Sequence, residues 1–258
     1  MKIQLLPSTF DCDGHATPEQ RLTCYVIDDR VAVDAGSLAL GLSNDQRERV
    51  RDVIVTHPHM DHIATLPIFI DDHFALLREP VRVHTTAEIA DLLERDVFNW
   101  TVYPRFSELR NEHGPVMQYV TFRTGEEFEV AHLRVKAVPV NHIVPTVGLV
   151  VTDGRATVAF SSDTAATDEF WRVLDKTPGL SAVLVEAAFP NSMRRLADVS
   201  GHLTPAGLAA EVAKLSRRDL DLLAVHLKPS YRAALVEELE ALQIPRLQVM
   251  EPCRDYEW

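Results

Sequence analysis

Val53-Ile54-Val55-Thr56-His57-Pro58-His59-Met60-Asp61-His62 decides the reading of this chain. Three β-branched apolar residues run into a segment that packs three imidazoles and a carboxylate into six positions. Short apolar runs of this kind read as buried strands, so the polar cluster sits at a strand's mouth. Imidazole and carboxylate are the donor types that zinc, iron and related ions accept. A histidine-rich surface loop would account for an isolated H-x-H. Four ligand-type groups directly after a strand form a more specific pattern.

Further ligands must come from elsewhere, and the chain repeats the same local pattern. Asp163 follows Ala156-Thr157-Val158-Ala159-Phe160 and Ser161-Ser162. His142 follows Val135-Lys136-Ala137-Val138-Pro139-Val140, and His226 follows Leu222-Leu223-Ala224-Val225. Ligands at the carboxyl ends of neighbouring strands can converge on one crevice. His73, His84, His113 and His132 have no comparable setting and read as surface or satisfied core residues. His15 reads the same way, although Asp11, Cys12 and Asp13 around it could turn it toward a cleft.

The 258 residues suffice for one domain with a sizeable core, and that single domain is expected over 1–258. No stretch approaches the ~20 apolar residues of a membrane span. The start, Met1-Lys2-Ile3-Gln4-Leu5-Leu6-Pro7, turns polar too soon for a signal peptide, so a cytoplasmic setting is expected. Cys12, Cys24 and Cys253 suggest neither a disulfide framework nor a zinc knuckle. The net charge of −12 argues against nucleic acid as a partner.

Strands are predicted at Ile3–Leu6, Leu22–Ile27 and Val31–Val33, with Asp28-Asp29 as a hairpin turn. A short helix is predicted over Asn44–Arg51, then helices over Ile63–Leu77 and Thr86–Asp96. Five strands follow: Gln118–Phe122, Phe128–Ala131, Leu133–Val138, Thr146–Val151 and Thr157–Phe160, with Asp153-Gly154 as a turn. Helices Asp168–Leu174, Pro205–Leu215 and Tyr231–Leu242 alternate with strands Ala182–Val185 and Leu220–Val225. This order suits an α/β layering without deciding which one.

Two more groups suggest proton chemistry. His202 lies in Gly201-His202-Leu203-Thr204-Pro205, where Thr204 reads as an N-cap and Pro205 as the first helical residue. Glu186 ends the apolar run Ala182-Val183-Leu184-Val185, where a carboxylate needs a partner. A Glu186–His202 hydrogen bond would fix the imidazole's tautomer and support it as a proton donor. Lys228 could reach a substrate phosphate or simply face solvent.

The H-x-H-x-D-H spacing resembles the signature of the metallo-β-lactamase superfamily. The resemblance implies an αββα sandwich and two divalent ions. It places one on His57, His59 and His142 and the other on Asp61, His62 and His226, with Asp163 bridging. Zinc is the first expectation, and iron or manganese tolerate the same set. Glu186-Ala187-Ala188-Phe189, Gly201-His202-Leu203-Thr204-Pro205 and His226-Leu227-Lys228-Pro229-Ser230 resemble class II cyclic-nucleotide phosphodiesterases more closely. So do Asp34-Ala35-Gly36-Ser37 and Phe98-Asn99-Trp100-Thr101-Val102-Tyr103-Pro104. The chain departs from that family at Met60, where Leu is common, and at Tyr103, where Trp is common.

This closer resemblance implies hydrolysis of cAMP or cGMP to 5′-monophosphates by a hydroxide held between the metals. His202, Glu186 and Asp61 would be catalytic groups, and a small cyclic nucleotide the partner. tRNA 3′-processing endonucleases share much of the pattern, but no extruded basic Gly- and Pro-rich arm is visible here. Other hydrolases of the superfamily and a non-catalytic scaffold are further alternatives. The scaffold would be expected to have lost ligands.

An insert near 97–115 carries Phe98, Trp100, Tyr103 and Phe106, in a chain only 7% aromatic. Trp100 and Tyr103 are therefore expected to contact substrate by stacking. The alternative is core cover or a homodimer contact.

Overall fold

The computed structural model describes residues 1–258. In the first half, strands β1 (Lys2–Leu5), β2 (Tyr25–Ile27) and β3 (Val31–Val33) lead to helices α1 (Leu38–Gly41) and α2 (Asn44–Arg49). Strand β4 (Asp52–Ile54), helices α3 (Met60–Ile63) and α4 (Leu66–His73), β5 (Val81–Thr86) and α5 (Ala87–Asp96) follow. A small hairpin, β6 (Arg110–Asn111) and β7 (Gly114–Pro115), precedes β8 (Met117–Phe122).

The second half runs β9 (Glu127–Val130), β10 (Leu133–Pro139), β11 (Val147–Thr152), β12 (Thr157–Phe160), α6 (Glu169–Asp175) and β13 (Leu180–Glu186). It closes with α7 (Arg194–Ser200), α8 (Pro205–Val212), β14 (Asp221–Val225), α9 (Arg232–Ala241), β15 (Leu247–Val249) and β16 (Asp255–Glu257). No helix is long and apolar enough to cross a membrane.

Two seven-stranded sheets form, in the orders β16-β1-β2-β3-β4-β5-β8 and β15-β14-β13-β12-β11-β10-β9. Three apolar layers show how they stack. The layer between the sheets includes Ile3, Val33, Ile54, Val135, Phe160 and Leu184. Helices α4 and α5 cover the first sheet's outer face with Phe69, Ile70, Ile89 and Leu93. Helices α6, α8 and α9 cover the second sheet's with Phe170, Trp171, Leu208 and Leu235. This is the expected αββα sandwich. It explains why Val53-Ile54-Val55 reads as an unbroken apolar run: Val53 and Ile54 are buried on opposite faces of the sheet.

Local chemistry sets several boundaries. Asp28 and Asp29 both adopt positive φ, at 50° and 55°, in the three-residue loop between β2 and β3, where Arg30 N donates to Ile27 O at 3.0 Å. The expected helix over Ile63–Leu77 is instead two helices, beginning at Met60 and broken at Ala64-Thr65. Thr65 N bonds Ala35 O at 3.1 Å, while Asp61 O accepts from Thr23 N at 2.8 Å. The helical i→i−4 bond is thus diverted to neighbouring loops. The strand expected from Leu22 starts at Tyr25, because Leu22–Cys24 form the loop that holds Asp61. Strand β5 and helix α7 were not expected from the sequence.

Candidate metal centre

The C-terminal ends of β3, β4, β10, β12, β13 and β14 meet at one end of the sandwich. Strand β4 delivers His57 and His59, and α3 delivers Asp61 and His62 from its first turn. The segment after β10 brings His142, that after β12 brings Asp163, and that after β14 brings His226. Asp34, Ser162 and His226 sit just past β3, β12 and β14 with φ of 58°, 54° and 60°. Left-handed backbone at non-glycine residues is costly and gathers at functional sites.

Two groups that could each hold a metal ion result, His57/His59/His142/Asp163 and Asp61/His62/Asp163/His226, each with donor atoms within 4.8 Å of one another. Asp163 belongs to both. His57 Nε2 is 3.6 Å from Asp163 Oδ2, His62 Nε2 is 3.3 Å from Oδ1, and His226 Nε2 is 3.4 Å from Oδ2. These three Nε2 atoms are buried with no hydrogen-bond partner. Buried polar atoms are rarely left so.

The opposite ring nitrogens are engaged. His62 Nδ1 lies 2.7 Å from Asp34 Oδ2, and His226 Nδ1 lies 3.2 Å from Thr23 Oγ1. His57 Nδ1 lies 3.1 Å from Thr56 Oγ1, whose hydroxyl donates to the Asp34 carboxylate at 3.0 Å. His142 Nδ1 donates to Gly201 O at 2.8 Å, which turns the Nε2 lone pair toward His59 Nδ1, 3.2 Å away. Rings held at one nitrogen with the other turned inward are the arrangement of ligating histidines. The donor set fits divalent metal ions.

Electrostatics agree. Burial holds His57, His59 and His142 below the ordinary imidazole range, and burial takes His226 down to about 3. Each shift favours the neutral imidazole, the form that binds a metal. His62 is the exception: burial opposes its charge, but Asp163 and Asp34 on either side outweigh it and raise it well above the usual value. A proton there occupies a place that favours positive charge. Asp163 resists burial because His226 and His62 hold it well below the usual carboxylate range.

Two glycines permit the packing. A Cβ on Gly36 would stand 2.0 Å from Asp61 O, so the ligand loop lies directly on Gly36. Gly201 has φ of 73°, and a Cβ there would meet His142 Nδ1 at 2.8 Å.

A second layer joins at the edge. Glu186, fully buried, accepts from His202 Nδ1 at 2.9 Å, Thr164 N at 2.8 Å and Leu203 N at 3.2 Å. It thereby ties the loop after Asp163 to the loop of His202. Thr204 caps α8 through Gly207 N, and Pro205 opens that helix. Burial works against a charged His202, yet the hydrogen bond and charge of Glu186 raise it above its ordinary value. Burial raises Glu186 as well. Lys228 Nζ, half-buried, lies 3.2 Å from Asp61 Oδ2.

The aromatic insert lies elsewhere. Helix α5 runs back from the C-terminal end of β5, and segment 97–115 leads into β8, whose Met117 pairs with Val81 at the start of β5. Ten helical residues span about 15 Å, so Trp100 and Tyr103 stand at the end of the sheet opposite the motif. Phe98 and Phe106 are fully buried, Tyr103 packs 6.1 Å from the Phe106 ring, and Trp100 is exposed. The structure brings neither Trp100 nor Tyr103 to the crevice.

Among the other histidines, His84 is buried against Asp52, and His15 is exposed beside Asp11. Asp34, Thr56 and Thr23 are the functional neighbours that the sequence reading left without a role. Asp34 carried the same signal as Asp163, an acid directly after the buried run Val31–Val33.

The family model described as "Beta-lactamase superfamily domain" matches residues 30–226, from β3 to His226. The chain belongs to this superfamily. A probable 3′,5′-cyclic-nucleotide phosphodiesterase of Yersinia pestis is 24% identical over 227 residues, covering 78% of this chain and 63% of that protein. A 3′,5′-cyclic-nucleotide phosphodiesterase of Aliivibrio fischeri is 26% identical over 210 residues, covering 72% and 62%. The match thus spans just under two thirds of the length of these curated relatives.

Among solved structures, unliganded yeast PDE1 superposes with a TM-score of 0.74 at 17% identity, covering 96% of each chain. The short form of human tRNase Z gives 0.68 at 15% identity, covering 100% of this chain and 99% of that one. These likenesses establish the metallo-β-lactamase fold.

Proposed function

We propose that the chain is a dinuclear metal phosphodiesterase that hydrolyses 3′,5′-cyclic nucleotides, cAMP or cGMP, to 5′-monophosphates. The observation that carries this reading is the meeting of two ligand groups on Asp163, with a carboxylate-held imidazole, His202, beside them. His57, His59 and His142 would hold one ion, and Asp61, His62 and His226 the other, with Asp163 shared. Zinc suits this nitrogen and oxygen donor set best, and iron or manganese accept it. A bound pair of divalent ions supplies a nucleophile at neutral pH and offsets phosphoryl charge.

The chain's own groups do the rest. Asp34 and Thr56 fix the tautomers of His62 and His57, so that both Nε2 atoms face Asp163. Glu186 holds His202 Nδ1, which leaves Nε2 to protonate the departing ribose 3′ oxygen as its bond to phosphorus breaks. Lys228, beside Asp61, meets a phosphate oxygen of the substrate. The two curated relatives favour a cyclic nucleotide over tRNA, and so does the net charge of −12. Three free thiols, Cys12, Cys24 and Cys253, suit a reducing cytoplasmic setting.

The test is turnover of 3′,5′-cAMP, 3′,5′-cGMP, 2′,3′-cAMP and bis(p-nitrophenyl) phosphate with zinc, manganese or iron supplied. Preference for the 3′,5′-cyclic substrates supports the reading. Activity confined to bis(p-nitrophenyl) phosphate, or cleavage of a tRNA precursor instead, overturns it.

A further inference from the structure

We propose a second ligand site: a groove on the outer face of the second sheet that binds a small diphosphate-bearing molecule about the size of a nucleoside diphosphate. The groove, about 490 Å³, lies between β10–β12 and the loop after α6. Four cations line it. Arg134 and Lys136 stand two residues apart on β10 and so share one face. Arg155 comes from the turn between β11 and β12, and Lys176 from the end of α6. Glu127 is the only carboxylate lining the groove.

None of the four cations makes an ion pair, whereas Lys214 pairs with Asp168 and Glu211 at 2.7 and 2.8 Å. Glu127 and Glu129 sit opposite Lys136 and Arg134 across β9 and β10 without closing on them. Four cations that line one groove without an ion pair, in a chain of net charge −12, mark a local field that favours an anion.

The surroundings select the class of anion. The groove's volume falls in the range of small-ligand sites. Guanidinium groups match phosphate geometry, and two phosphates offer enough oxygens for several cations at once. A nucleic acid is disfavoured by the net charge of −12. A membrane would need apolar residues at the rim, and none of the exposed large hydrophobic residues lines this groove.

The site is independent of the histidine cluster. Arg134 lies near the start of β10, and the ligand His142 follows that strand's other end. A seven-residue strand spans about 23 Å.

Titration calorimetry of the metal-loaded protein with ADP, pyrophosphate and adenosine tests the proposal. The wild type is expected to show a class of sites for ADP and pyrophosphate, weakened by added salt, that adenosine does not fill. R134E/K176E should weaken this class by about 100-fold or more and R155E by about tenfold. Turnover of bis(p-nitrophenyl) phosphate and the melting curve should stay as in the wild type. Binding retained at the metal centre accounts for any class common to all three proteins. The proposal is overturned if wild-type and variant isotherms superimpose, if neither phosphate ligand binds at millimolar concentration, or if adenosine competes as well as ADP. Should the double variant fail to fold, R155E alone decides.

Discussion

Replacing His202 by alanine should separate proton donation from metal binding. The substitution removes one hydrogen bond to Glu186, the 2.9 Å contact from Nδ1. Glu186 keeps Thr164 N and Leu203 N as donors, so the buried carboxylate stays satisfied. The cost to the fold is then one charge-assisted bond, about 1.5–3 kcal/mol, together with ring contacts to His142 and His226 at 5.0 and 5.4 Å, and no residue of the two groups is itself replaced. A general acid contributes about 10²–10⁴-fold. Turnover of 3′,5′-cAMP, whose leaving group is an alkoxide, should therefore fall by at least about 100-fold, or about 2.7 kcal/mol. Bis(p-nitrophenyl) phosphate releases p-nitrophenolate, which needs little protonation, so its loss should be much smaller.

The pH profile adds a second readout. His202 is raised above its ordinary value: burial opposes the charge, and Glu186 outweighs that. Its acid form is present below that raised pKa and lost as pH rises through it. Wild-type turnover of cAMP should show this alkaline limb, and His202→Ala should lack it. The assay is kcat and KM on both substrates, with metal content measured on the same samples. Equal losses on both substrates at full metal content would refute the proton-donor role.

Three further outcomes follow from the same geometry. Asp163→Ala removes the ligand shared by both groups, so elemental analysis should find fewer than two ions per chain and turnover should collapse; a fully active variant would contradict the shared-ligand assignment. Asp34→Ala releases His62 and Thr56 and should weaken metal binding about 10- to 100-fold in chelator competition; unchanged affinity would rule out its orienting role. Asp52→Ala removes bonds of 2.7 and 2.8 Å to Arg82 and His84, while Arg82 keeps Glu79 at 2.9 Å, and should cost about 1.5–3 kcal/mol in urea unfolding with metal content intact. Burial pushes Asp52 up, but Arg82 and His84 hold it well below the carboxylate range. Its contribution is therefore full above about pH 3.9 and is lost as pH falls through the depressed folded value; a variant as stable as the wild type would refute this.

The sequence made the candidate ligands legible because His57, His142, Asp163 and His226 each lie within three positions of the end of a strand that carries core residues. The sandwich brings those strand ends together. Contacts distant in sequence were hidden. Asp34 acts through Thr56 and His62, 22 and 28 residues away. Strand β5 was missed because Arg82 and His84 break its apolar pattern, and their shared partner, Asp52, lies on the neighbouring strand, 30 and 32 residues away in sequence. The aromatic run misled for the opposite reason. Phe98 and Phe106 are core residues of the first sheet's outer layer, and nothing local separates a ring that covers a core from one that stacks on a base.

The most direct test of the dinuclear reading is a metal titration of chelator-stripped protein, with 3′,5′-cAMP as substrate and the products resolved by chromatography. Turnover should be absent without metal, rise to a plateau near two equivalents per chain, and release 5′-AMP. Full activity in the stripped protein, a plateau at one equivalent, or release of 3′-AMP would contradict it.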